Sequence, residues 1–162
     1  MGFLQGMPGT DRRAFMKTTQ ETDRFLESGS LEDFNRYLTG DYMSEYKDIT
    51  DYLNRYMESH SLEVSEVIKR SLLDRYYANQ ILYGTKKHPG RDKLIPLCLA
   101  MHMDLEETNR ALKISRAGTL YSKHKRDAII ILCINQKIYD VMRVNEALFE
   151  NDEEPLATSV KN

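Results

Sequence analysis

Proline, glycine and cysteine are all scarce in this chain. Its 162 residues include four prolines, eight glycines and two cysteines, which argues against low-complexity sequence and against disorder over most of the length. Strand-like alternation of polar and apolar residues is also rare, whereas apolar residues recur mostly at three- and four-residue spacing. These patterns predict an all-α fold.

The two cysteines set the expectations for metal chemistry. Cys98 and Cys133 both lie in apolar runs, as reduced thiols in the core of a cytosolic protein do. Cys98 and His102 are four residues apart, so on one helix they would share a face, as two zinc ligands could. No second ligand pair stands nearby in the sequence, and we therefore predict buried thiols, no metal and no cofactor.

Long apolar runs and export signals are missing as well. The longest apolar run, Ala128 to Ile134, is far shorter than the roughly 20 residues that a membrane-spanning helix needs. The first residues, Met1 to Gly6, show no basic segment that leads into an apolar run of the length found in secretory signals. We expect a cytoplasmic protein without membrane contact.

Sequence patterns typical of catalytic sites are not found. The chain contains no Gly-rich phosphate loop, no paired metal-binding motif and no recognisable combination of nucleophile and base. We therefore expect that the protein is not an enzyme and has no catalytic residues.

The chain has little net charge, but its charges are unevenly distributed. The formal net charge is -2, whereas a dedicated non-specific nucleic-acid binder is usually basic. From Lys69 to Lys93, however, seven basic residues stand against two acidic ones, a local charge of +5. From Lys113 to Arg126 there are five basic residues and no acidic ones. Any contact with a nucleic acid would therefore come from a local patch.

Turn signals divide the chain into four parts. Residues 1–47 are predicted to be a flexible start and a helical appendage, which is too short to bury a core alone. Residues 48–117 are predicted to form the main helical domain, and residues 118–156 a C-terminal helical extension. Residues 157–162 are predicted to be a loose tail that follows an acidic stretch and Pro155.

Five helices are predicted in the main domain. Asp48, Asp74 and Asp104 are suitable N-caps for the first, third and fifth of them. Gly84 suits the end of the third helix, because glycine readily adopts a positive φ. The predicted inward-facing residues are, helix by helix, Ile49, Tyr52, Leu53, Tyr56 and Met57; Val64, Val67 and Ile68; Tyr77, Ala78 and Ile81; Leu94, Ile95, Leu97, Cys98 and Met101; and Leu105, Thr108, Leu112 and Ile114.

The extension contains the run Ala128 to Ile134, which is apolar on every side. Such a run fits either a buried strand or a buried helix, and we predict a helix because a lone strand would have no partner. Asp140 can cap a second helix that reaches Phe149. The apolar surface of this pair must cover either the N-terminal appendage or another subunit, and we expect a homodimer.

The stretch Leu62 to Leu99 has the layout of a known motif. Two short helical patterns flank a break at Ser71-Leu72-Leu73, and the second pattern ends at Gly84. A basic loop follows, and then an apolar helix. This order is typical of a helix-turn-helix inside a small helical domain.

A family resemblance rests on residues spread over this domain. They are Leu62, Val67, Ile68, Leu73, Tyr77, Ile81 and Gly84, followed by the segments Arg91 to Leu94 and Leu99 to Thr108. Between about Asp48 and Ile114 the chain resembles the lambda-repressor-like (Xre-type) helix-turn-helix family. The onward match, through Leu120 to Leu156, resembles a bacterial subgroup with a helical C-terminal extension.

In that family the third helix enters the major groove of DNA, while the second helix and the loop hold phosphates. By position, the resemblance implies that bases are read by Arg75, Tyr76, Asn79 and Gln80. Arginine pairs well with guanine, and Asn or Gln with adenine. The resemblance further implies that the DNA backbone is contacted by Tyr83, Lys86, Lys87, His88 and Arg91.

Three positions depart from the family's pattern. Glu63 stands where a Ser or Thr usually caps the second helix, and its charge would repel a phosphate. Val64 stands where a phosphate-gripping Gln is frequent. Leu72 stands where the tight turn usually has Gly, and leucine disfavours a positive φ. The scaffold tolerates these changes more easily than phosphate binding does.

Two functions remain open at this point. The first is a sequence-specific DNA-binding transcriptional regulator, a homodimer that reads double-stranded DNA with the helix starting near Asp74. The alternative is a protein–protein interaction adaptor on a helix-turn-helix scaffold, with little or no DNA binding. Both hypotheses require that the polar face of the helix after Asp74 lies on the outside of the protein.

Overall fold

The computed structural model describes residues 17–39, 45–156 and 158, and within these ranges every regular element is a helix. The all-α prediction is confirmed. In chain order the α-helices are α1 Thr19–Ser28, α2 Phe34–Thr39, α3 Ile49–Ser59, α4 Val64–Ser71, α5 Arg75–Leu82, α6 Arg91–Ala100, α7 Leu105–Ile114, α8 Lys125–Asn135 and α9 Val141–Glu150. In the described part of the chain, none of these helices has the length and apolar character needed to cross a bilayer.

The chain divides into two compact units, residues 1–45 and 46–162. In the first unit, α1 begins with a capping box, in which Thr18 Oγ1 accepts a hydrogen bond from the Glu21 backbone N–H (3.2 Å). A short 3₁₀ turn, Leu31–Asp33, precedes α2. No residue of α1 is buried within the structure described. The predicted flexible start and most of the predicted tail lie outside the described residues.

Aspartate caps start four helices of the second unit. The side chains of Asp48, Asp74, Asp104 and Asp140 each accept a hydrogen bond from a backbone N–H in the first turn, at 2.8 to 3.0 Å. These bonds satisfy donors that a helix start otherwise leaves unpaired. The caps predicted from the sequence are therefore confirmed.

Helix α6 is the centre of the second unit. Every residue from Leu94 to Ala100 is buried, and α6 packs against α4, α7 and α9. Helix α3 packs on α5 and α7, while α8 packs on α7 and α9. Because α9 reaches α6, the predicted main domain and the predicted extension share one core. The segment Ala128 to Ile134 lies inside α8, so the helix predicted there is confirmed.

Two local expectations are wrong. Val64, expected to face the core, is 37% exposed at the first turn of α4. Cys98 and His102 do not share a helix face, because α6 ends at Ala100 and His102 has a φ of 56°. His102 instead stacks its ring on Tyr139, with 4.6 Å between ring centroids. Burial raises the pKa of the Cys98 thiol to about 12, so it stays protonated at neutral pH.

Candidate nucleic-acid interface

Helix α5 is held in place by its neighbour α3. Its inner side buries Ala78, Ile81 and Leu82. At its C-terminal end, Thr50 Oγ1 donates to the Ile81 carbonyl oxygen (2.8 Å) and Asn54 Nδ2 donates to the Leu82 carbonyl oxygen (2.9 Å). These side chains of α3 satisfy carbonyls that the helix end leaves unpaired. The opposite side of α5 is therefore presented on a rigid support.

The connection between α4 and α5 is a short turn that contains a left-handed residue. Leu72 has a φ of 57° and a ψ of 14°. Ser71 stabilises the turn, because its Oγ donates to the Ile68 carbonyl oxygen (2.6 Å) and accepts from the Leu73 backbone N–H (3.2 Å). The backbone thus adopts the glycine-like geometry that the turn needs, although the residue is leucine.

The four residues assigned to base reading lie on the outer side of α5. Arg75 and Tyr76 are exposed, Tyr76 to 73%, and Asn79 and Gln80 are half-buried. Within the described residues, the side chains of Arg75, Asn79 and Gln80 make no hydrogen bond and no ion pair inside the protein. The outer side of α5 therefore carries several hydrogen-bonding side chains that have no partner among the described residues.

The residues assigned to the DNA backbone do not all share this face. Tyr83, Lys86, Lys87 and His88 are exposed on the segment after α5. Lys86 Nζ lies 5.3 Å from the centroid of the Tyr77 ring, and Lys93 Nζ lies at the same distance from that ring. Both ammonium groups are thus attracted to one aromatic ring beside α5. Lys93 was not among the predicted contacts, since only the fold brings the start of α6 next to Tyr77.

Arg91, the fifth residue assigned to the DNA backbone, points inward. Its Nη1 and Nη2 atoms each donate to a carboxylate oxygen of Asp127, both at 3.0 Å. Its Nη2 atom also donates to the Thr119 carbonyl oxygen (3.3 Å). A guanidinium engaged in a bidentate pair has little left to offer a phosphate. This geometry argues against the backbone contact assigned to Arg91.

Asp92, the next residue along α6, forms a second ion pair. In this pair the acidic residue is on α6 and the basic residue is on α8. Asp92 accepts two hydrogen bonds from Arg126, both at 2.9 Å. We refer to Arg91–Asp127 and Asp92–Arg126 together as the double ion pair. It joins the first turn of α6 to the first turn of α8. Arg126 also donates to the Glu154 carbonyl oxygen (2.8 Å), so this member of the second basic patch is engaged inside the protein.

The double ion pair shifts the pKa of two of its members, Asp127 and Arg126. Burial raises the pKa of the Asp127 carboxyl, but hydrogen bonds from Arg91 and from the Tyr121 backbone N–H outweigh burial and hold that pKa below its ordinary value. Hydrogen bonds to Asp92 raise the pKa of Arg126. Both shifts favour the charged forms of Asp127 and Arg126.

A groove runs between α4 and α5. It has a volume of about 580 Å³ and is lined by Val64, Ser65, Ile68, Lys69, Leu72, Leu73, Arg75, Asn79 and Tyr83. Apolar side chains thus adjoin part of the outer side of α5. Sequence reasoning missed the groove, because it placed Val64 in the core.

The described residues contain no group of three or more His, Cys, Asp or Glu side chains that could hold a metal ion. The outer side of α5 carries hydrogen-bonding, cationic and aromatic side chains, and side chains of these kinds bind ligands. No family model, no curated protein and no solved structure matches this chain.

Proposed function

We propose that the protein is a sequence-specific DNA-binding transcriptional regulator with a helix-turn-helix formed by α4 and α5. The observation that carries the proposal is the outer side of α5, where Arg75, Asn79 and Gln80 have no partner within the described part of the chain. Hydrogen-bonding side chains of these types match the edges of guanine and adenine in the major groove. Because these side chains make no hydrogen bond and no ion pair within the described part of the chain, they are available to bind bases.

The dimensions of α5 suit this role. A helix of eight residues is about 12 Å long, and the major groove of B-DNA is about 12 Å wide and admits a helix. Arg75 and Tyr76 lie in the first turn, where the recognition helix of a helix-turn-helix usually meets bases. Asn79 follows one turn later on the same side, so a second base pair lies within its reach.

Phosphate binding is assigned to the segment that follows α5. The proposed contacts are Tyr83, Lys86, Lys87 and His88, together with Lys93, while Arg91 is left to its ion pair with Asp127. Lys86 and Lys93 are suited to this, because no acidic residue of the described chain lies within ion-pair distance of either. Lysines beside a recognition helix that have no carboxylate partner neutralise phosphates and release counterions.

The proposal includes a homodimer formed through the last two helices. Met142 and Phe149 are seven residues apart on α9, so they lie on one side of that helix, and Phe149 is 75% exposed. Leu132 of α8 is also exposed. Large apolar side chains in water favour burial against a second copy, and most soluble oligomers are symmetric dimers.

Selection from a random duplex library with the purified protein tests the proposal. We expect enrichment of a defined sequence, and an observed affinity for it that falls steeply as salt is raised. Replacing Lys86 or Lys93 with Ala should reduce the slope of log affinity against log salt by about 0.9, because each change removes one phosphate contact. Lys137→Gln, a matched loss of charge at an exposed site between α8 and α9, should leave the slope unchanged.

Failure to enrich any duplex, with a protein shown to be folded by circular dichroism, would overturn the DNA-binding proposal. An unchanged salt slope for both Lys86→Ala and Lys93→Ala would overturn the phosphate assignment alone.

A further inference from the structure

The groove between α4 and α5 has two helical walls. On α4 the lining residues Val64 and Ile68 are spaced by four, and on α5 the lining residues Arg75 and Asn79 are also spaced by four. Each wall therefore includes one side of a helix and continues to a lining residue just after that helix, Leu72 or Tyr83, so that it extends over roughly 12 Å. A volume of about 580 Å³ lies within the range of sites that hold several apolar groups of a ligand.

Leu72 supplies an apolar side chain to this groove from a strained backbone. Six non-glycine residues of the described chain have a positive φ, namely Ser61, Leu72, His102, Arg116, Lys137 and Asp152. Leu72 is the only one of these six with a hydrocarbon side chain. The left-handed conformation costs an L-residue roughly 1–2 kcal/mol, which glycine would avoid. The Leu72 side chain is half-buried, packs in part against the core and also lines the groove.

The charge of the groove is one-sided. Its lining contains Lys69 and Arg75 and no acidic residue. Within the described chain neither cation lies within ion-pair distance of a carboxylate. Val64, which opens the groove, is apolar and exposed where a helix start usually carries polar residues. The groove lining therefore combines apolar side chains with two cations, Lys69 and Arg75, that have no carboxylate partner in the described chain.

We propose that this groove binds an acidic, amphipathic helical segment of a partner protein. Two to three apolar side chains of that segment, at i, i+3 or i+4 and i+7, would lie on Val64, Ile68 and Leu72, as in other helix-in-groove complexes. Its carboxylates would face Lys69 and Arg75. Such a segment has the right length at about two turns, and its charge complements that of Lys69 and Arg75.

Occupation of the groove has a consequence that rests on the proposed function. Arg75, Asn79 and Tyr83 line the groove and are also assigned to the DNA interface. A bound acidic segment would engage these side chains and place negative charge where DNA phosphates approach. The partner and DNA therefore compete, and the partner acts as an inhibitor of DNA binding.

A display library of random 16-residue peptides, selected on the full-length protein, tests the proposal without any DNA. We expect the enriched peptides to be acidic and to carry apolar residues at helical spacing. The affinity of a synthetic winner, measured by fluorescence anisotropy, should fall at least tenfold for Val64→Glu and for Leu72→Gly. Leu72→Gly is informative because glycine suits the backbone of the turn, and this offsets the loss of the packing that the Leu72 side chain makes with the core. Thermal unfolding followed by circular dichroism verifies this for both variants.

A charge exchange and a remote substitution complete the test. Arg75→Glu should weaken binding at least tenfold, and a peptide with Lys in place of one Glu should bind Arg75→Glu better than it binds the parent protein. Tyr121→Glu, which introduces the same charge at an exposed aromatic residue outside the groove lining, should leave peptide binding unchanged. The proposal is wrong if the winners are neutral or basic, if none is enriched, or if folded Val64→Glu and Leu72→Gly proteins bind like the parent.

Competition is measured separately from peptide binding. With a duplex obtained by selection, the winning peptide should displace the DNA in proportion to its occupancy of the groove. If peptide and DNA bind together, the competition is refuted while peptide binding stands. If the protein binds the peptide and no duplex, the groove is supported and the proposed function fails.

Discussion

At the scale of single residues, this protein ends several helices with a left-handed residue that is not glycine. Lys137 is one example, with a φ of 58° just after α8. The turn is closed by the Ile138 backbone N–H, which donates to the Cys133 carbonyl oxygen (2.8 Å). Hydrogen bonding thus enforces a conformation that the side chain disfavours.

Lys137→Gly should therefore stabilise the protein. We expect the free energy of unfolding to rise by about 1 kcal/mol, because glycine adopts a positive φ without the steric cost borne by lysine. Urea unfolding followed by circular dichroism measures the change. Lys137→Ala keeps a Cβ in the left-handed region and should differ little from the parent, and a gain in that control equal to the glycine's would contradict the explanation.

Asp127 is a second residue whose local chemistry has a measurable effect. Its pKa in the folded protein is below the ordinary value of 3.8. An acid with a depressed folded pKa contributes stability that is fully present above its unfolded pKa and is lost as the pH falls through the folded one. The contribution of Asp127 should therefore be constant above about pH 5 and decline below pH 3.8.

Asp127→Asn isolates this contribution. At neutral pH the variant should be less stable than the parent by about 3 kcal/mol, because it leaves the charge of Arg91 without its partner. The difference between the two proteins should shrink as the pH falls below 3.8, the ordinary value for Asp127. Denaturant unfolding at a series of pH values provides the measurement, and a difference that grows on acidification would refute the assignment.

At the scale of elements, α5 is predictable from the sequence because residues within it and at its two ends indicate its start, its end and its buried side. Asp74 and Gly84 mark its ends, and Ala78 and Ile81 recur at a helical interval. The side chains that hold its C-terminal end are distant in sequence. Thr50 precedes its partner Ile81 by 31 residues, and Asn54 precedes its partner Leu82 by 28 residues. The spacing of apolar residues predicts which side of a helix is buried. It does not predict which distant side chains hydrogen-bond to the end of that helix.

The partner of Arg91 escaped prediction for the same reason. Arg91 and Asp127 are 36 residues apart, and the phosphate contact of Arg91 was implied by the family resemblance, which matches positions and does not identify side-chain partners. Val64 was misplaced because apolar residues at helical spacing are usually buried, whereas the first turn of α4 lies at the edge of the core. The candidate site was thus predictable where it follows one helix, and unpredictable where it depends on packing between helices.

Substitutions on α5 should change which DNA sequence is bound. Asn79→Ala or Gln80→Ala should each reduce discrimination at one base position by about 1–3 kcal/mol, since a bidentate contact to adenine is lost. Binding to systematically varied duplexes measures the effect. Glu58→Ala, on the solvent side of α3, is a matched control that should not alter sequence preference. Unchanged preference in both α5 variants would remove base reading from these residues.

At the scale of the whole molecule, the second unit is organised around α6, which no single surface residue reveals. Its seven consecutive buried residues from Leu94 to Ala100 contact helices on either side of it in sequence. The exposed apolar residues are found elsewhere, and Phe149 on α9 is prominent among them. The buried residues of α6 therefore stabilise the fold, whereas the exposed Phe149 side chain is assigned to the proposed dimer interface.

Phe149→Glu should shift the proposed dimer toward monomer. A charge at the centre of an apolar contact costs far more than it does in water, so association should weaken by at least tenfold. Sedimentation velocity across a range of concentrations measures the change. Lys137→Gln lies between the same two helices without adding an apolar-to-charged change, and it should leave association unaltered. A parent protein that remains monomeric at high concentration would contradict the dimer.

The double ion pair bears on how the polypeptide can be shortened. A fragment that stopped at Gly118 would retain α3 to α7 but lose Asp127 and Arg126, so Arg91 and Asp92 would each be left without an opposite charge. The same cut would strip α9 from α6 and open its apolar surface to water. We expect such a fragment to aggregate or to be degraded. Helices α3 to α7 and helices α8 and α9 therefore have to be kept together when the protein is truncated or transplanted, and they are expected to evolve together.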